Sequence, residues 1–203
     1  MPAERGAAPS RASGRSKRGP SRAGPEATRQ ALIQAAADAF NSAGYHATDT
    51  NKIARAAGFA PQTFYRHFRD KMDIFLAAYE RWQADERRAI GQAARARAAE
   101  RGIVKAVLDH HVRWKTFRRS LRWLAIEDAR AREARVHSRA RQLDDLARLP
   151  TNAARSHAEL LAALLTAERL FDAAADGELT DNGLDAAAVQ KVLRDAVRGC
   201  RGG

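Results

Sequence analysis

Cysteine is nearly absent from this sequence, which has a single thiol at Cys200. A framework of structural disulfides is therefore excluded, and packing must stabilise the fold. No apolar run approaches the ~20 residues that a membrane-spanning helix needs. The basic N-terminus also lacks the apolar segment of a secretory signal. These absences favour a cytoplasmic protein with no membrane partner.

Glycine and proline are scarce away from the chain ends, while Ala, Leu and Arg dominate. Such a composition favours an all-α fold over a sheet. The length of 203 residues allows one domain or two small ones. The net charge of +12 suits an acidic partner such as nucleic acid.

Motifs for catalysis and for metal or cofactor binding are also missing. The sequence contains no Gly-rich phosphate loop, no GxSxG elbow and no HExxH pair. His110 and His111 are adjacent, so on a helix they point about 100° apart and cannot chelate a metal alone. We therefore expect no catalytic residues, no metal, no cofactor and no enzyme activity.

Residues 45–75 carry the densest structural signals. Asp49 is a good N-cap, and Gly58 suits the left-handed residue that ends a helix. Pro61 fits the first position of a second helix, predicted over residues 61–68. Phe64 and Phe68, four residues apart, can anchor that helix to a core. The sequence therefore predicts two short helices joined by a tight turn.

Hydrogen-bonding side chains are left for the outer face of the second helix. A short helix with such a face fits the major groove of DNA and can contact base edges or phosphates. Asp70 then caps a further helix, and Lys71 lies in its first turn, where amides and ammonium could hold a phosphate. The residues left for the outer face are Gln62, Thr63, Tyr65, Arg66 and His67.

This pattern resembles the N-terminal DNA-binding domain of the tetracycline-repressor (TetR) family, over about residues 27–80. The matching positions are Phe40, Gly44-Tyr45, Ile53-Ala54, Ala57-Gly58, Thr63-Phe64-Tyr65, His67-Phe68 and Lys71. The resemblance implies contacts to the DNA backbone or a base from Thr50 and Asn51, to bases from Pro61, Gln62, Thr63 and Arg66, and to phosphates from Tyr65, His67 and Lys71. Two departures, Ala60 before the recognition helix and Gln62 within it, concern the operator sequence rather than the fold. A helix-turn-helix can also be a packing unit without DNA, which remains the alternative.

The chain divides into three parts on this interpretation. Residues 1–25 form a basic tail that we expect to be disordered alone, either as a DNA-following arm or as a solvated tail. Residues 26–75 form the helix-turn-helix domain, and residues 76–203 a helical regulatory and dimerisation domain. A linking helix is expected over 70–101, an apolar stripe over 103–117, a helix capped by Thr151 or Asn152, and a last helix over 185–198. The charged stretch 127–142 is either a solvated helix with pairs such as Glu133–His137 or a second nucleic-acid surface.

Aromatic residues of the C-terminal part suggest a small-molecule pocket, although such residues also form ordinary core. The candidates are Tyr79, Trp82, His111, Trp114, Phe117 and Trp123. The expected protein is a homodimeric transcriptional repressor. Its expected partners are a double-stranded DNA operator and a small-molecule effector that releases the protein from the operator. An activator or global regulator, and a helical interaction module without DNA binding, are the alternatives. We expect a cytoplasmic location, with the nucleoid when DNA is bound.

Overall fold

The computed structural model describes residues 24–95 and 100–202, and these residues confirm the all-α expectation. Residues 1–23 of the predicted tail lie outside this range. Among the described residues, no helix is long and apolar enough to cross a membrane. The helices are α1 (Pro25–Ala43), α2 (Thr50–Ala56), α3 (Pro61–Tyr65), α4 (Lys71–Arg95), α5 (Glu100–Arg113), α6 (Lys115–Glu127), α7 (Ala129–Ala147), α8 (His157–Asp176), α9 (Glu178–Asp181) and α10 (Ala186–Arg201), with a 3-10 turn at Pro150–Asn152.

The first three helices and the start of α4 share one apolar core. Leu32 of α1, Ile53 of α2 and Phe64 of α3 are fully buried in it. The core continues into α6, because Phe117 stacks on Phe75 of α4 with ring centroids 4.7 Å apart. The unit predicted over 26–75 therefore shares its interior with the C-terminal part of the chain.

A second core lies where α5, α8 and α10 pack together. Val104, Phe171 and Leu193, one from each helix, are buried there. Gly177 ends α8 in the left-handed conformation, with φ +88°, as the sequence predicts. Asp185 starts α10 by accepting a 2.8 Å hydrogen bond from the backbone N–H of Ala188.

Two predicted helix boundaries in the middle of the chain are wrong. Gly102, expected to end the linking helix, lies instead in the first turn of α5. The predicted stripe 103–117 is divided at Trp114 between α5 and α6. The side chain of Asn41 explains this break, because it donates to the carbonyl of Arg113 (2.7 Å) and accepts from the N–H of Phe117 (3.3 Å).

The start of α8 also differs from the prediction. Ser156, and neither Thr151 nor Asn152, caps this helix through a capping box with Glu159. The side chain of Asn152 is instead buried, and it donates to the carbonyls of Leu146 and Cys200. Asn152 therefore joins the end of α7 to the end of α10.

The charged stretch 127–142 forms most of α7, which begins after Asp128 as its N-cap. The predicted pair Glu133–His137 is not among the hydrogen bonds of the described residues. Instead, Arg135 and Arg139 pair with Glu168 of α8 at 3.2 and 2.7 Å. Charges of this helix therefore stabilise contacts between helices as well as facing solvent.

Candidate DNA-binding surface

Helix α2 begins at the cap that the sequence predicts. The carboxylate of Asp49 accepts a 2.7 Å hydrogen bond from the backbone N–H of Lys52. This bond, more than the nearby ammonium of Lys52, lowers the pKa of the Asp49 carboxyl group. Thr50 and Asn51 are the first residues of α2; Asn51 is exposed and Thr50 is half-buried.

The turn between α2 and α3 depends on Gly58, whose φ of +81° favours glycine strongly. The backbone N–H of Phe59 donates to the carbonyl of Ala54 at 2.9 Å and closes the turn. Pro61 is the first residue of α3, as predicted. Ala60, which precedes it, provides no side-chain cap.

Helix α3 is held from below by two aromatic residues. Phe64 and Phe68 are 0% and 3% exposed, and their ring centroids lie 5.7 Å apart. The helix itself ends at Tyr65, earlier than the predicted Phe68. The carbonyl of Phe64 accepts from the N–H groups of both His67 and Phe68, so the chain turns while Phe68 still reaches the core.

The predicted contact residues of α3 and of the turn after it differ in exposure. Gln62, Tyr65 and Arg66 are exposed, while Pro61, Thr63 and His67 are half-buried. The phenol of Tyr65 is joined to α2, because its hydroxyl lies 3.0 Å from the hydroxyl of Thr50. The structure therefore brings Thr50 of α2 and Tyr65 of α3 together, and the exposed side chains Gln62, Tyr65 and Arg66 are named the polar face of α3.

Lys71 differs from the expectation of an ammonium directed to phosphate. Its Nζ donates to the carbonyl of Tyr45 at 2.9 Å and to the carbonyl of Thr48 at 3.0 Å. It also lies 4.2 Å from the centre of the Tyr45 ring. Burial lowers the pKa of this ammonium, against the opposing charge of Asp49. Lys71 thus fixes the segment before α2.

The N-terminus of α4 is joined to the C-terminal part of the chain. Asp70 accepts from the backbone N–H of Asp73 at 2.8 Å, which makes it the predicted cap. The same carboxylate accepts a 2.9 Å hydrogen bond from Arg130 of α7. These bonds outweigh desolvation, the largest opposing effect, and lower the pKa of Asp70.

Helix α6 supports the other side of the helix-turn-helix. The hydroxyl of Ser120 accepts from the backbone N–H of Tyr45 at 3.1 Å. Trp123 packs edge-on against His46, with ring centroids 4.4 Å apart. A displacement of α6 or α7 would therefore reach the base of the polar face directly.

Five of the six predicted pocket residues lie in the interior near α4, α5 and α6. These five buried residues are Tyr79, Trp82, His111, Trp114 and Phe117. Trp123 lies elsewhere, because it is 45% exposed and contacts His46. The indole Nε1 of Trp82 is buried without a hydrogen-bond partner among the described residues.

A buried charge cluster beside these aromatic residues was not predicted. It joins α4, α5, α6 and α8 through four buried side chains, those of Glu86, His111, Arg118 and Asp172. Arg118 donates to Asp172 at 2.6 Å, and its guanidinium lies over the Trp82 ring at 4.9 Å. Glu86 follows Trp82 by four residues, and Arg118 follows Trp114 by four. Residues at this spacing share one helix face, so the sequence did contain a signal that these two charged side chains are buried.

The family model for bacterial regulatory proteins of the tetR family matches residues 32–78. This segment covers α1, the helix-turn-helix and the first turns of α4. Over this segment the chain is similar to bacterial regulatory proteins of the tetR family. The similarity agrees with the expectation of a DNA-binding regulator.

TetR-family relatives share short stretches of sequence with this chain. The transcriptional activator FasR of Mycolicibacterium smegmatis is 31% identical over 78 residues, which are 38% of this chain and 36% of that protein. The fatty acid metabolism regulator of Bacillus subtilis is 37% identical over 49 residues, or 24% of this chain and 25% of that protein. The matching part of the chain thus spans about a third and a quarter of these relatives.

Solved TetR-family structures extend the likeness to most of the fold. A regulator from Rhodococcus sp. has a TM-score of 0.65 at 20% identity, covering 84% of this chain and 96% of that one. The fatty acid degradation regulator FadR of Bacillus halodurans has a TM-score of 0.56 at 18% identity, covering 89% and 97%. At these identities the likeness concerns the fold, including the helical C-terminal part.

Proposed function

We propose that this protein is a homodimeric, DNA-binding transcriptional regulator. The observation that carries the proposal is the polar face of α3, which is anchored by Phe64 and Phe68 and joined to α2 through Tyr65 and Thr50. A helix held rigidly from below presents its side chains to DNA with little loss of conformational entropy. A helical module without DNA binding would leave this arrangement without a use.

The contacts divide by side-chain chemistry. Gln62, Thr63 and Arg66 of the exposed face have the donors and acceptors that read base edges in the major groove. Tyr65, His67, Thr50 and Asn51 have groups suited to the phosphate backbone. Lys71 contributes by fixing the carbonyls of Tyr45 and Thr48, and not chiefly through a direct phosphate contact.

Helices α8 and α10 are the proposed dimerisation surface. They pack against each other, and α8 also exposes Leu165 at 39%. Two subunits related by a two-fold axis require a roughly palindromic operator, with half-sites about one helical turn apart or slightly more.

The groove of about 270 Å³ between α4 and α7 is the proposed effector site. Tyr79, one of the predicted pocket residues, borders it. Ligand binding there would move α4 and hence the recognition helix. If ligand and operator favour different states of the protein, each lowers the affinity of the protein for the other by the same factor. The protein would then act as a repressor that the ligand releases from the operator.

Activation is the second candidate, because the similar protein FasR is a transcriptional activator. Transcription in vitro from promoters flanking the gene separates the two outcomes. The repressor proposal expects less transcript with protein and no change with an Arg66→Ala, Gln62→Ala double variant. More transcript with protein, lost in the same variant, would establish activation. An equal effect of wild type and variant would contradict DNA reading by α3.

A further inference from the structure

One face of α6 is held against the base of the helix-turn-helix. The hydroxyl of Ser120 accepts a 3.1 Å hydrogen bond from the backbone N–H of Tyr45, and the ring of Trp123 packs on His46. The first turn of α6 is also bonded to the side chain of Asn41 in α1. A change in the position of α6 would therefore displace the segment that leads into α2.

Another face of α6 carries three arginines that pair with carboxylates of α8. The Nε of Arg118 donates to Asp172 at 2.6 Å. The Nε of Arg119 donates to Asp176 at 3.2 Å. Arg122 contacts both carboxylates, because its Nη2 donates to Asp176 at 3.1 Å and its Nη1 lies 2.6 Å from Oδ2 of Asp172. Since the two aspartates are four residues apart, they share one face of α8, and Arg122 spans that face.

The apolar residues of α6 and α8 belong to different cores. Phe117 and Leu121 of α6 are buried in the core that the helix-turn-helix shares. Phe171 of α8 is buried in the core formed with α5 and α10. Apolar packing is non-directional, whereas a bond between guanidinium and carboxylate specifies both distance and angle. The position of α6 relative to α8 therefore depends on the arginine–aspartate bonds.

We propose that Arg122 is a positioning residue that sets which half-site spacing the dimer binds. It fixes α6, and with it the base of the helix-turn-helix, against α8. The role rests on the proposed DNA-binding function and on the proposed dimer surface of α8. A two-fold dimer holds its two recognition helices at a set separation, and its operator must present half-sites at a matching spacing. Without Arg122 this separation would vary more widely, and ordering the two helices on the operator would cost affinity.

Operators that differ only in half-site spacing test this role. The full chain would be titrated with the operator at its own spacing, with operators lengthened at the centre by one or two base pairs, and with a single half-site. At the operator's own spacing we expect Arg122→Gln to bind roughly 2- to 30-fold more weakly than the wild type, the range for residues that couple distant sites. The loss should be smaller on the lengthened operators, so that affinity depends less on spacing. Affinity for the single half-site should stay the same, because no DNA-contact residue is altered.

Hydrogen exchange in the absence of DNA tests the path through α6. The backbone N–H of Tyr45 is bonded to Ser120 of α6, whereas that of Phe59 is bonded to the carbonyl of Ala54 within the helix-turn-helix. If Arg122→Gln loosens α6, the bond of Tyr45 opens more often and its amide exchanges faster. The exchange rate of the Phe59 amide should stay the same. Unchanged exchange at Tyr45, or an equal rise at both amides, would overturn the proposal.

The other end of the bond provides an independent variant. Asp176→Asn removes the carboxylate to which Arg122 donates, and it should flatten the dependence of affinity on spacing in the same way. At the operator's own spacing, the double variant should lose less binding free energy than the sum of the losses in the two single variants. Additive losses would show that the two residues act separately and would contradict the role of this bond.

The matched control is Arg148→Gln, because Arg148 is an exposed arginine whose ion pair joins it to the nearby Asp145. This variant should reproduce both the spacing dependence and the Tyr45 exchange rate of the wild type. An equal loss of affinity at every spacing in Arg122→Gln would overturn the positioning role. If the wild type bound no DNA specifically, the proposed function and the spacing role would both fail, while the exchange rate of Tyr45 would still decide whether Arg122 acts on the helix-turn-helix through α6.

Discussion

The hydroxyl groups of Tyr65 and Thr50 lie 3.0 Å apart, so the end of the recognition helix is hydrogen-bonded to the first residue of the helix before it. The Tyr65 side chain is nevertheless 59% exposed. A buried aromatic anchor would explain a packing role, but an exposed phenol held in one position is better explained by a partner outside the protein. The same bond restricts the phenol to one orientation before DNA arrives.

Removing this hydroxyl should affect DNA binding more than folding. We expect Tyr65→Phe to weaken operator binding by about 1 kcal/mol, the value of a typical hydrogen bond, or roughly fivefold. The melting temperature should stay the same, because the site is exposed. Thr50→Val should weaken operator binding by a similar amount. The double variant should lose less binding free energy than the sum of the losses in the two single variants. Fully additive losses in anisotropy titrations would mean that the hydroxyl pair is irrelevant.

Arg66 is expected to read a base. Arg66→Ala should cost about 1–3 kcal/mol on the operator and relax specificity at one position, with little change in salt dependence. Arg69→Ala is the matched control, since Arg69 is also exposed but pairs with Asp73 at 3.6 Å. Titrations against operators changed one base pair at a time measure both effects. A uniform loss across all sequences would identify Arg66 as a phosphate contact instead.

Lys71 should matter for stability. Lys71→Met removes two hydrogen bonds to the carbonyls of Tyr45 and Thr48, and we expect the free energy of unfolding to fall by about 2 kcal/mol. Lys52→Met serves as control, because Lys52 also donates to a carbonyl, that of Ala47, but its side chain is 64% exposed. Lys52→Met should lower the free energy of unfolding by less than about 1 kcal/mol. Equal losses in urea unfolding would show that the buried bonds of Lys71 contribute nothing special.

The sequence predicts the helix-turn-helix well because local chemistry specifies it. Asp49, Gly58 and Pro61 set its boundaries through capping and backbone geometry, which act over a few residues. The inward direction of the Lys71 ammonium depends on carbonyls 23 and 26 residues away, and no local pattern contains that information.

The C-terminal part is less predictable for the same reason. The break at Trp114 depends on Asn41 of α1, more than 70 residues earlier along the chain. The charge cluster joins Glu86 to Asp172 across four helices, and only its positions on apolar stripes could have indicated burial. The start of α8 is an exception, because the Ser156–Glu159 capping box is a local signal and specifies this boundary in place of Thr151 or Asn152.

Asp172 is expected to be the most sensitive member of the charge cluster. Asp172→Asn leaves the buried Arg118 and His111 without their carboxylate, and removing one partner of a buried pair typically costs about 3–5 kcal/mol. Asp181→Asn, an exposed change in α9, should cost less than about 0.5 kcal/mol. Chemical unfolding at a fixed protein concentration measures both. An unchanged free energy of unfolding in Asp172→Asn would show that the cluster is hydrated and contributes little to stability.

Burial lowers the pKa of His110 and keeps it neutral at pH 7, which predicts a loss of stability in mild acid. Its folded pKa of about 4 lies below the unfolded value of about 6.5, so the unfolded chain binds the additional proton between these pH values. The free energy of unfolding should therefore fall by about 3 kcal/mol per subunit as the pH drops from 6.5 to 4. His110→Gln should lack most of this loss. If the free energy of unfolding of the variant fell with pH as steeply as that of the wild type, groups other than His110 would cause the loss of stability.

The central claim is that the exposed face of α3 reads a specific operator. We would titrate wild type and Tyr65→Ala by fluorescence anisotropy against tiled duplexes covering the DNA around the gene, at two salt concentrations. The account predicts one tile bound at least about a thousandfold more tightly than the others, with this preference lost in the variant. Equal, weak and steeply salt-dependent binding to every tile, unchanged by Tyr65→Ala, would contradict it and leave only a basic surface.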